Sequence, residues 1–330
     1  MSRDEKPKQF HSFIGDKTMI QQTYERLNFL KKEDIFVATN ARYSALVKKQ
    51  LPRLNAKNLI IEPAMRDTGS CICYAAHHLA KLGFGDEAMV IVYADHLIQN
   101  TAEFERALKT GAEIVKKEDT LAVIAVKAKY PNPSLGYIKI GKLEQTMENG
   151  LEVYILEQFV EKPTVEKAKQ FLKSYKYLWN TGLYMWKTST ILELFKKLSP
   201  EIFKATANKK TYADSPKISI DYALIEKLPP RQIRVIPAEL GWNDIGNWAA
   251  LHDEVAKNEK ENVSSGEHIS IDTEGSVVFG NSGKPIVTYG LRNMVVIDTP
   301  EALLIMPKEK SCEAKNVTEE LKKRKKENLL

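Results

Sequence analysis

The fold is decided by residues 88–126, which read AMVIVYADHLIQNTAEFERALKTGAEIVKKEDTLAVIAV. Continuous apolar runs at 88–93 and 121–126 enclose a segment whose apolar residues recur at helical spacing over 102–115. A short apolar run between polar flanks is typical of a buried strand, and the intervening periodicity favours a helix. The stretch therefore predicts a strand, a helix and a second strand, which is the repeating unit of an α/β fold.

The same alternation continues on both sides of this unit. Further strand-like runs lie at 35–38, 59–61, 153–155 and 183–186. Further helical patterns lie at 19–30, 70–82 and 165–175. We therefore expect an α/β, Rossmann-like, mostly parallel mixed sheet with flanking helices.

The pattern changes near residue 262, where a second and smaller unit is predicted. Helical spacing fades over the polar stretch 257–267, and short β-rich runs with glycine turns follow. Their loosely repeated spacing is compatible with a few coils of a β-helix, although the six-residue signature is not clean. We expect domains at 1–261 and 262–330, with the charged tail 316–330 forming a solvated terminal helix.

Composition limits the function classes. The chain has 330 residues, 43% of them hydrophobic, so it can bury a sizeable core. A net charge of +6, spread along the chain, does not call for nucleic acid. Cys71 and Cys73 are too close in sequence for an easy bridge, and with Cys312 they give no disulfide framework, so a cytoplasmic location is expected. No apolar run is long enough to cross a bilayer, so no membrane partner is expected.

Two aspartates each follow an apolar run. Asp95 lies within Tyr93–Ile98, and Asp244 lies within Gly241–Trp248. Carboxylates at the carboxyl ends of buried strands lie where open α/β sheets bind ligands, and a converging pair suits Mg²⁺ that holds phosphates. We predict that Asp95 and Asp244 bind Mg²⁺ or another divalent cation, and that the chain is an enzyme of phosphate chemistry.

Two further motifs are ambiguous when taken alone. Pro163 limits the run that ends in Glu161 and Lys162, so both side chains should stand at a strand end. A lysine there could hold a phosphate and a glutamate a sugar hydroxyl, or the two could form a surface ion pair before a helix. Asn180 begins Asn-Thr-Gly, which could bind a ligand or form an ordinary turn.

The ordered set of motifs is more specific than any one of them. The set consists of Pro7–Phe10, Glu62–Pro63, Arg66–Thr68, Ala94–Ile98, Gly136–Ile138, Phe159–Pro163, Trp179–Gly182 and Gly241–Trp248. It resembles the mannose-1-phosphate guanylyltransferases, also called GDP-mannose pyrophosphorylases, over nearly the whole chain. Residues 291–305 resemble the short left-handed β-helix of that family.

The resemblance implies an activity and a set of roles. An oxygen of mannose 1-phosphate attacks the α-phosphorus of GTP in line, giving GDP-mannose and pyrophosphate without a covalent enzyme intermediate. Asp95 and Asp244 would hold the metal ion, Lys8 would face the triphosphate and Lys162 the sugar phosphate. Catalysis of this kind consists of positioning and charge neutralisation.

The remaining implied roles concern the hexose and the base. Glu161, Asn180 and the backbone at Gly136 would fix the hexose hydroxyls. Glu62, Arg66 and Thr68 belong to the segment that faces the base. One carboxylate can accept from both N1–H and the N2 amino group of guanine, so Glu62 favours guanine over a pyrimidine; alternatively, Glu62 simply ends a strand before proline.

The chain departs from the family pattern in two places. Asp67 stands where the family more often has asparagine, which adds a negative charge near the nucleotide. The opening residues match only the stretch after the family's first strand and glycine-rich phosphate loop. We therefore expect an internal start, with on the order of 20 further residues in the native product, and little activity without them. An intact mass of the native protein equal to that of these 330 residues would refute this expectation.

Two other functions stay open at this point. One is a different sugar-1-phosphate nucleotidylyltransferase with another sugar or nucleotide. The other is a non-catalytic protein that binds sugar nucleotides, which the missing phosphate loop favours and the retained aspartates and lysines oppose. The sequence also leaves a homodimer open.

Overall fold

The computed structural model of the chain describes residues 5–280, 282–326 and 329. The described chain forms two compact units: unit 1 is drawn from 1–23, 94–97 and 243–330, and unit 2 from 24–93 and 98–242. These units are defined by contacts, and the domain boundaries predicted from the sequence, 1–261 and 262–330, remain a prediction. No helix within the described residues combines the length and apolar composition needed to cross a bilayer.

Strands and helices alternate through the first three quarters of the chain. The strands are β1 (Val37–Asn40), β2 (Leu59–Glu62), β3 (Ala88–Val90), β4 (Leu97–Ile98), β5 (Leu121–Lys127), β6 (Tyr137–Thr146), β7 (Glu152–Val160), β8 (Tyr177–Lys187), β9 (Ile233–Pro237), β10 (Trp242–Asn243), β11 (Val263–Ser265), β12 (His268–Ile271), β13 (Val277–Gly280), β14 (Ile286–Tyr289), β15 (Met294–Asp298) and β16 (Leu303–Pro307). The α-helices are α1 (Met19–Arg26), α2 (Ser44–Gln50), α3 (Asp67–Lys81), α4 (Thr101–Lys117), α5 (Val165–Ser174), α6 (Thr188–Leu198), α7 (Pro200–Thr206), α8 (Ile220–Ala223), α9 (Trp248–Val255) and α10 (Ala314–Lys323). Short 3-10 helices lie at Lys8–Phe10, Lys32–Asp34, Ala41–Tyr43, Ala56–Asn58, Tyr212–Asp214, Ile225–Lys227, Pro230–Gln232 and Lys308–Glu313.

A six-stranded mixed sheet organises unit 2, in the order β3-β8-β5-β9-β7-β6. The pairing of β5 with β9 is parallel, whereas β8 runs antiparallel to both β3 and β5, and β7 runs antiparallel to β6 and β9. The α/β class and the mixed sheet are as predicted, but antiparallel pairings predominate in this sheet, contrary to the expected mostly parallel arrangement. The difference arises because β6 and β7 form a hairpin and β8 inserts between β3 and β5.

Strand β5 separates the two apolar layers of unit 2. Leu121, Val123 and Ala125 face one buried cluster, and the alternate residues Ala122 and Ile124 face the other. Successive side chains of a strand point to opposite faces, so a strand covered on both sides must be apolar throughout. This explains the unbroken run that the sequence shows here.

Helix α4 covers one of these faces. It begins after Asn100, whose side chain accepts a hydrogen bond from the Glu103 N–H at 3.1 Å and so caps the helix. Its buried stripe includes Phe104 and Gly111. A side chain at Gly111 would collide with Met185 of β8, so glycine permits the close approach of helix and sheet.

Unit 1 contains short parallel strands stacked in register. Val263 of β11 pairs with Val277 of β13, which in turn pairs with Val295 of β15, and all three side chains are buried. The stack makes a β-helix-like ladder, closed on one side by the antiparallel strand β16. Helix α10 lies where the terminal helix was predicted, although the end of the predicted tail, at 327, 328 and 330, lies outside the described residues.

Candidate active site

Three predicted site residues meet within unit 1. The Lys8 ammonium lies 3.1 Å from Asp95 Oδ2 and donates a hydrogen bond to the Asp244 carbonyl oxygen at 2.8 Å. Lys8 opens a 3-10 helix, Asp95 lies in the loop before β4, and Asp244 directly follows β10. Segments far apart in sequence are thus brought to one position by the fold.

The charges of this cluster influence one another. Burial raises the pKa of the Asp244 carboxyl, the Lys8 ammonium counteracts part of that rise, and the neighbouring Asp95 carboxylate adds to it. The Asp244 carboxyl is therefore influenced by one opposite charge and one like charge.

The backbone after Asp244 is held in an unfavourable conformation. Ile245 has a φ of 41°, in the left-handed region that β-branched residues rarely adopt. Its N–H donates to the Asn243 side-chain oxygen at 2.7 Å, and its side chain is buried in the unit 1 core. The turn directs the carbonyl of Asp244 toward Lys8.

The donor set at this position fits a hard divalent cation. The Asp95 carboxylate and the Asp244 backbone carbonyl contact the Lys8 ammonium, and the charge of the Asp244 carboxyl interacts with both Lys8 and Asp95. Oxygen ligands of this kind are those that Mg²⁺ prefers. Within the described residues, no group of three or more His, Cys, Asp or Glu side chains forms a metal-binding cluster. A metal ion held by this pair would complete its coordination with water or phosphate oxygens, which is how Mg²⁺ commonly binds.

A second cluster lies in unit 2 and contains Gly136, Glu161 and Asn180. The Asn180 N–H donates to the Gly136 carbonyl at 2.8 Å. A side chain at Gly136 would collide with Glu161 Oε2 and lie 3.2 Å from the Asn180 Cβ. The three residues predicted to contact a hexose are therefore neighbours.

Glu161 and Lys162 form an ion pair of 3.3 Å ahead of α5, as in the alternative interpretation, but Glu161 is buried and does not lie at the surface. The Glu161 side chain is 8% exposed and that of Lys162 is 56% exposed. Burial raises the pKa of Glu161 to about 7, Asp221 adds to the rise, and Lys162 opposes it. The arrangement presents a buried carboxyl that holds its proton more tightly than usual, next to an exposed ammonium.

Sequence reasoning missed two residues of this cluster, Asp221 and Tyr184. Asp221 Oδ1 accepts from the Tyr184 hydroxyl at 2.6 Å and from the Asn180 Nδ2 at 3.2 Å. The only sequence signal was an acidic residue in the first turn of a short helix, which by itself indicates no more than a favourable helix dipole contact.

The third predicted group, Glu62, Arg66 and Thr68, also lies in unit 2. Glu62 is 9% exposed, and its Oε1 accepts from the Arg66 N–H at 3.1 Å and from the Tyr212 hydroxyl at 2.5 Å. The Thr68 hydroxyl accepts from the Ile220 N–H at 2.9 Å. The structure therefore brings this group together, with several of its polar atoms engaged within the protein.

Comparison with known families matches the chain in two parts. The model described as "Nucleotidyl transferase" matches residues 1–261, and the model described as "MannoseP isomerase/GMP-like beta-helix domain" matches residues 266–321. The chain belongs to the nucleotidyl transferase family.

Relatives of this nucleotidyl transferase cover nearly all of it. The alginate biosynthesis protein AlgA of Pseudomonas fluorescens is 33% identical over 94% of this chain and 66% of the relative. The mannose-1-phosphate guanylyltransferase RfbM of Salmonella typhimurium is 32% identical over 98% of this chain and 69% of the relative. A crystal structure described as mannose-1-phosphate geranyltransferase from Thermus thermophilus superposes with a TM-score of 0.88 at 30% identity, covering 97% of this chain and 94% of that one.

These matches confirm the predicted resemblance, the α/β fold and the β-helix-like C-terminal part of this nucleotidyl transferase. The chain spans about two thirds of the length of the curated relatives it matches. The roles of the individual site residues stay predictions.

Proposed function

We propose that this protein transfers GMP from GTP to mannose 1-phosphate, forming GDP-mannose and releasing pyrophosphate. The convergence of Lys8, Asp95 and Asp244, with contacts of 3.1 and 2.8 Å, carries the proposal. The Lys8 ammonium can bind a phosphate directly, and the carboxylates of Asp95 and Asp244 can bind a cation that does the same. Both would help to bring two anionic substrates together. The name of the Salmonella relative supports this choice of substrates.

The reaction needs little from the protein besides positioning. The attacking oxygen of the sugar phosphate is already ionised, so no general base is required. A bond forms from this oxygen to the α-phosphorus as the bond to the pyrophosphate oxygen breaks. Lys8 would neutralise charge on the triphosphate. Mg²⁺ or another divalent cation, held by Asp95 and Asp244, would neutralise charge on the phosphates.

The sugar side of the proposal uses the second cluster. The exposed ammonium of Lys162 would bind the sugar phosphate, while the buried Glu161 would accept from a hexose hydroxyl. Asn180 and the backbone of Gly136 would complete the hexose contacts. Gly136 suits this role because no side chain fits between its backbone and Glu161.

The base is assigned to the third group. Both hydrogen bonds found for the Glu62 carboxylate in the described residues end on Oε1, so Oε2 can accept from guanine. Arg66 and Thr68 would shape the same segment. A pyrimidine would offer Glu62 no comparable pair of donors, which favours GTP as the nucleotide.

Assembly and location form part of the same proposal. Strands β12 and β14 pair so that exposed Ile269 lies beside Val287 and exposed Ile271 beside Tyr289, and such an apolar face supports a homodimer. The unpaired thiols of Cys71, Cys73 and Cys312 support a reducing, cytoplasmic location.

The test is pyrophosphate release from a panel of nucleotides and sugar phosphates. We expect GTP with mannose 1-phosphate to be the fastest pair, and D95N and D244N each to lower kcat by about 100-fold or more. D16N, which changes an exposed aspartate of the same unit, serves as the matched control.

Two outcomes would redirect the proposal. Faster turnover of another pair, such as ATP with glucose 1-phosphate, would indicate a different sugar nucleotidylyltransferase. Binding of GDP-mannose in a calorimeter without turnover of any pair would indicate a non-catalytic binding protein.

A further inference from the structure

Residues 212–221, which we call the strap, lie along the segment that was predicted to face the base. The hydrogen bonds between them are Tyr212 to Glu62, Arg66 to Ala213, Ser70 to both Ser215 and Pro216, Gly69 to Ile218 and Ile220 to Thr68. These contacts follow the strap from its beginning to the residue before Asp221. The predicted base-facing segment is thus also the surface on which the strap is held.

Two of these hydrogen bonds hold the strap just before Asp221. The Gly69 N–H donates to the Ile218 carbonyl at 3.1 Å, and the Ile220 N–H donates to the Thr68 hydroxyl at 2.9 Å. A Cβ at Gly69 would lie 2.8 Å from the Ile218 oxygen, which is closer than side-chain carbons approach backbone oxygens. Helix α3 therefore fixes the backbone position from which Asp221 extends.

At the end of the strap, Asp221 contacts the predicted hexose site. Its Oδ1 accepts from the Tyr184 hydroxyl at 2.6 Å and from Asn180 Nδ2 at 3.2 Å. Asn180 Nδ2 also lies 2.8 Å from the Tyr184 hydroxyl. A carboxylate accepts hydrogen bonds only, so it selects the nitrogen of the Asn180 amide and turns the amide oxygen away.

A second hydrogen bond fixes the position of the Asn180 amide oxygen. Asn180 Oδ1 accepts from the Gly182 N–H at 3.0 Å and retains a second lone pair for a ligand. Asn180 is 9% exposed and Tyr184 is 1% exposed, so water cannot readily replace Asp221 as their acceptor. Asp221 and the Gly182 N–H therefore set the orientation of the amide together.

We propose that Asp221 is a positioning residue for the hexose, acting through Asn180 and Tyr184, and that Thr68 acts through the strap to keep Asp221 in place. This role deepens the proposed function, on which it rests, because the hexose phosphate is the substrate of that reaction. It gives Thr68 an effect on the sugar rather than on the nucleotide.

The two roles of Thr68 predict different kinetic effects. If Thr68 serves the base, its loss raises the KM for GTP. If it holds the strap, its loss leaves the Ile220 N–H without an acceptor, moves Asp221 and raises the KM for mannose 1-phosphate. Steady-state kinetics with each substrate varied in turn separates the two.

The experiment uses T68V, which keeps the shape of the side chain and removes its hydroxyl. We expect the KM for mannose 1-phosphate to rise about 10-fold, with kcat and the KM for GTP within about twofold of wild type. T68S restores the acceptor and is expected to recover most of the loss. T101V, a threonine at the first position of α4, is the matched control.

A second variant, D221N, tests the other end of the strap and keeps the inference testable should T68V fail to fold. We expect D221N to raise the same KM, because asparagine can offer its nitrogen where the carboxylate offers only acceptors. A rise in the KM for GTP alone, or no change in either KM for both variants, would overturn the inference. Absence of turnover and of calorimetric binding of mannose 1-phosphate and GDP-mannose in the wild-type protein would instead refute the proposed function.

Discussion

Replacement of Glu161 by glutamine is expected to remove a pH-dependent loss of stability. Burial of this carboxyl, with 8% of its side chain exposed, raises its pKa from 4.5 to about 7. The negative charges of Asp221 and Glu226 add to the rise, and Lys162 opposes it. The folded protein therefore binds a proton at Glu161 more tightly than the unfolded chain does.

This difference in proton affinity sets the sign and the size of the pH dependence of the free energy of unfolding. The stabilising contribution of the proton is fully present below pH 4.5, falls as the pH rises and is lost above the folded pKa of about 7. A rise of this size in pKa corresponds to about 3 kcal/mol in total, of which about 2 kcal/mol lies between pH 5.5 and pH 8. Glutamine has no proton to lose, so E161Q lacks this dependence.

Urea denaturation of wild type and E161Q at pH 5.5 and pH 8 measures the effect. The free energy of unfolding of E161Q minus that of wild type should increase by about 2 kcal/mol from pH 5.5 to pH 8. E201Q, which changes an exposed glutamate of α7, is the matched control. An unchanged difference between wild type and E161Q at the two pH values would show that Glu161 is not desolvated as the structure indicates.

Two further predictions concern packing. In G136A the new methyl group would collide with Glu161 Oε2, so we expect the KM for mannose 1-phosphate to rise about 10-fold or more, measured by pyrophosphate release, and an unchanged value would contradict the placement of Gly136. In F279A a ring that is 2% exposed and packs against Phe13 and Trp248 is lost from the unit 1 core. We expect the free energy of unfolding in urea to fall by about 3–5 kcal/mol, and a fall below about 1 kcal/mol would count against this core.

The central strands could be predicted because a strand buried on both faces appears in the sequence as a continuous apolar run. The run at 121–126 was predicted as a strand, and β5 occupies Leu121–Lys127. A strand buried on both faces excludes polar residues, so its limits are visible without tertiary information. The direction of its neighbours is not visible in the same way, which is why the share of parallel pairings was overestimated.

Strand β8 shows where local reasoning fails. Only 183–186 was predicted as a strand, and Asn-Thr-Gly before it could have been an ordinary turn, yet β8 runs from Tyr177 to Lys187. The register with β5 shifts beside this motif, and Gly182 has a φ of 72°, so the glycine serves a β-bulge inside the strand. Turns and β-bulges favour the same residue types, and only the pairing with the neighbouring strand distinguishes the two.

The candidate site likewise contains residues that local motifs predict and one residue that they do not. Lys8, Asp95 and Asp244 could be expected to meet because each belongs to a motif whose order matched a family. Asp221 could not be predicted as a site residue, because its position depends on hydrogen bonds between the strap and α3. Such hydrogen bonds leave no pattern in the local sequence. A polar residue that acts through another residue is found only when the contacts are known.

Backbone conformation links the three predicted groups of site residues. Asp67, Lys162 and Ile245 have φ values of 64°, 47° and 41°, and each is itself a predicted site residue or adjoins one. Such conformations cost on the order of 1 kcal/mol or more for residues other than glycine, so they persist only where surrounding contacts enforce them. The Asn243 side chain enforces the turn at Ile245, which aims the Asp244 carbonyl at Lys8. Left-handed conformations also occur at Tyr175, Asp272, Asn293 and Lys325, which are not predicted site residues. The conformation therefore supports a ligand site only where it adjoins a carboxyl with a raised pKa, as at Lys162 beside Glu161 and at Ile245 beside Asp244.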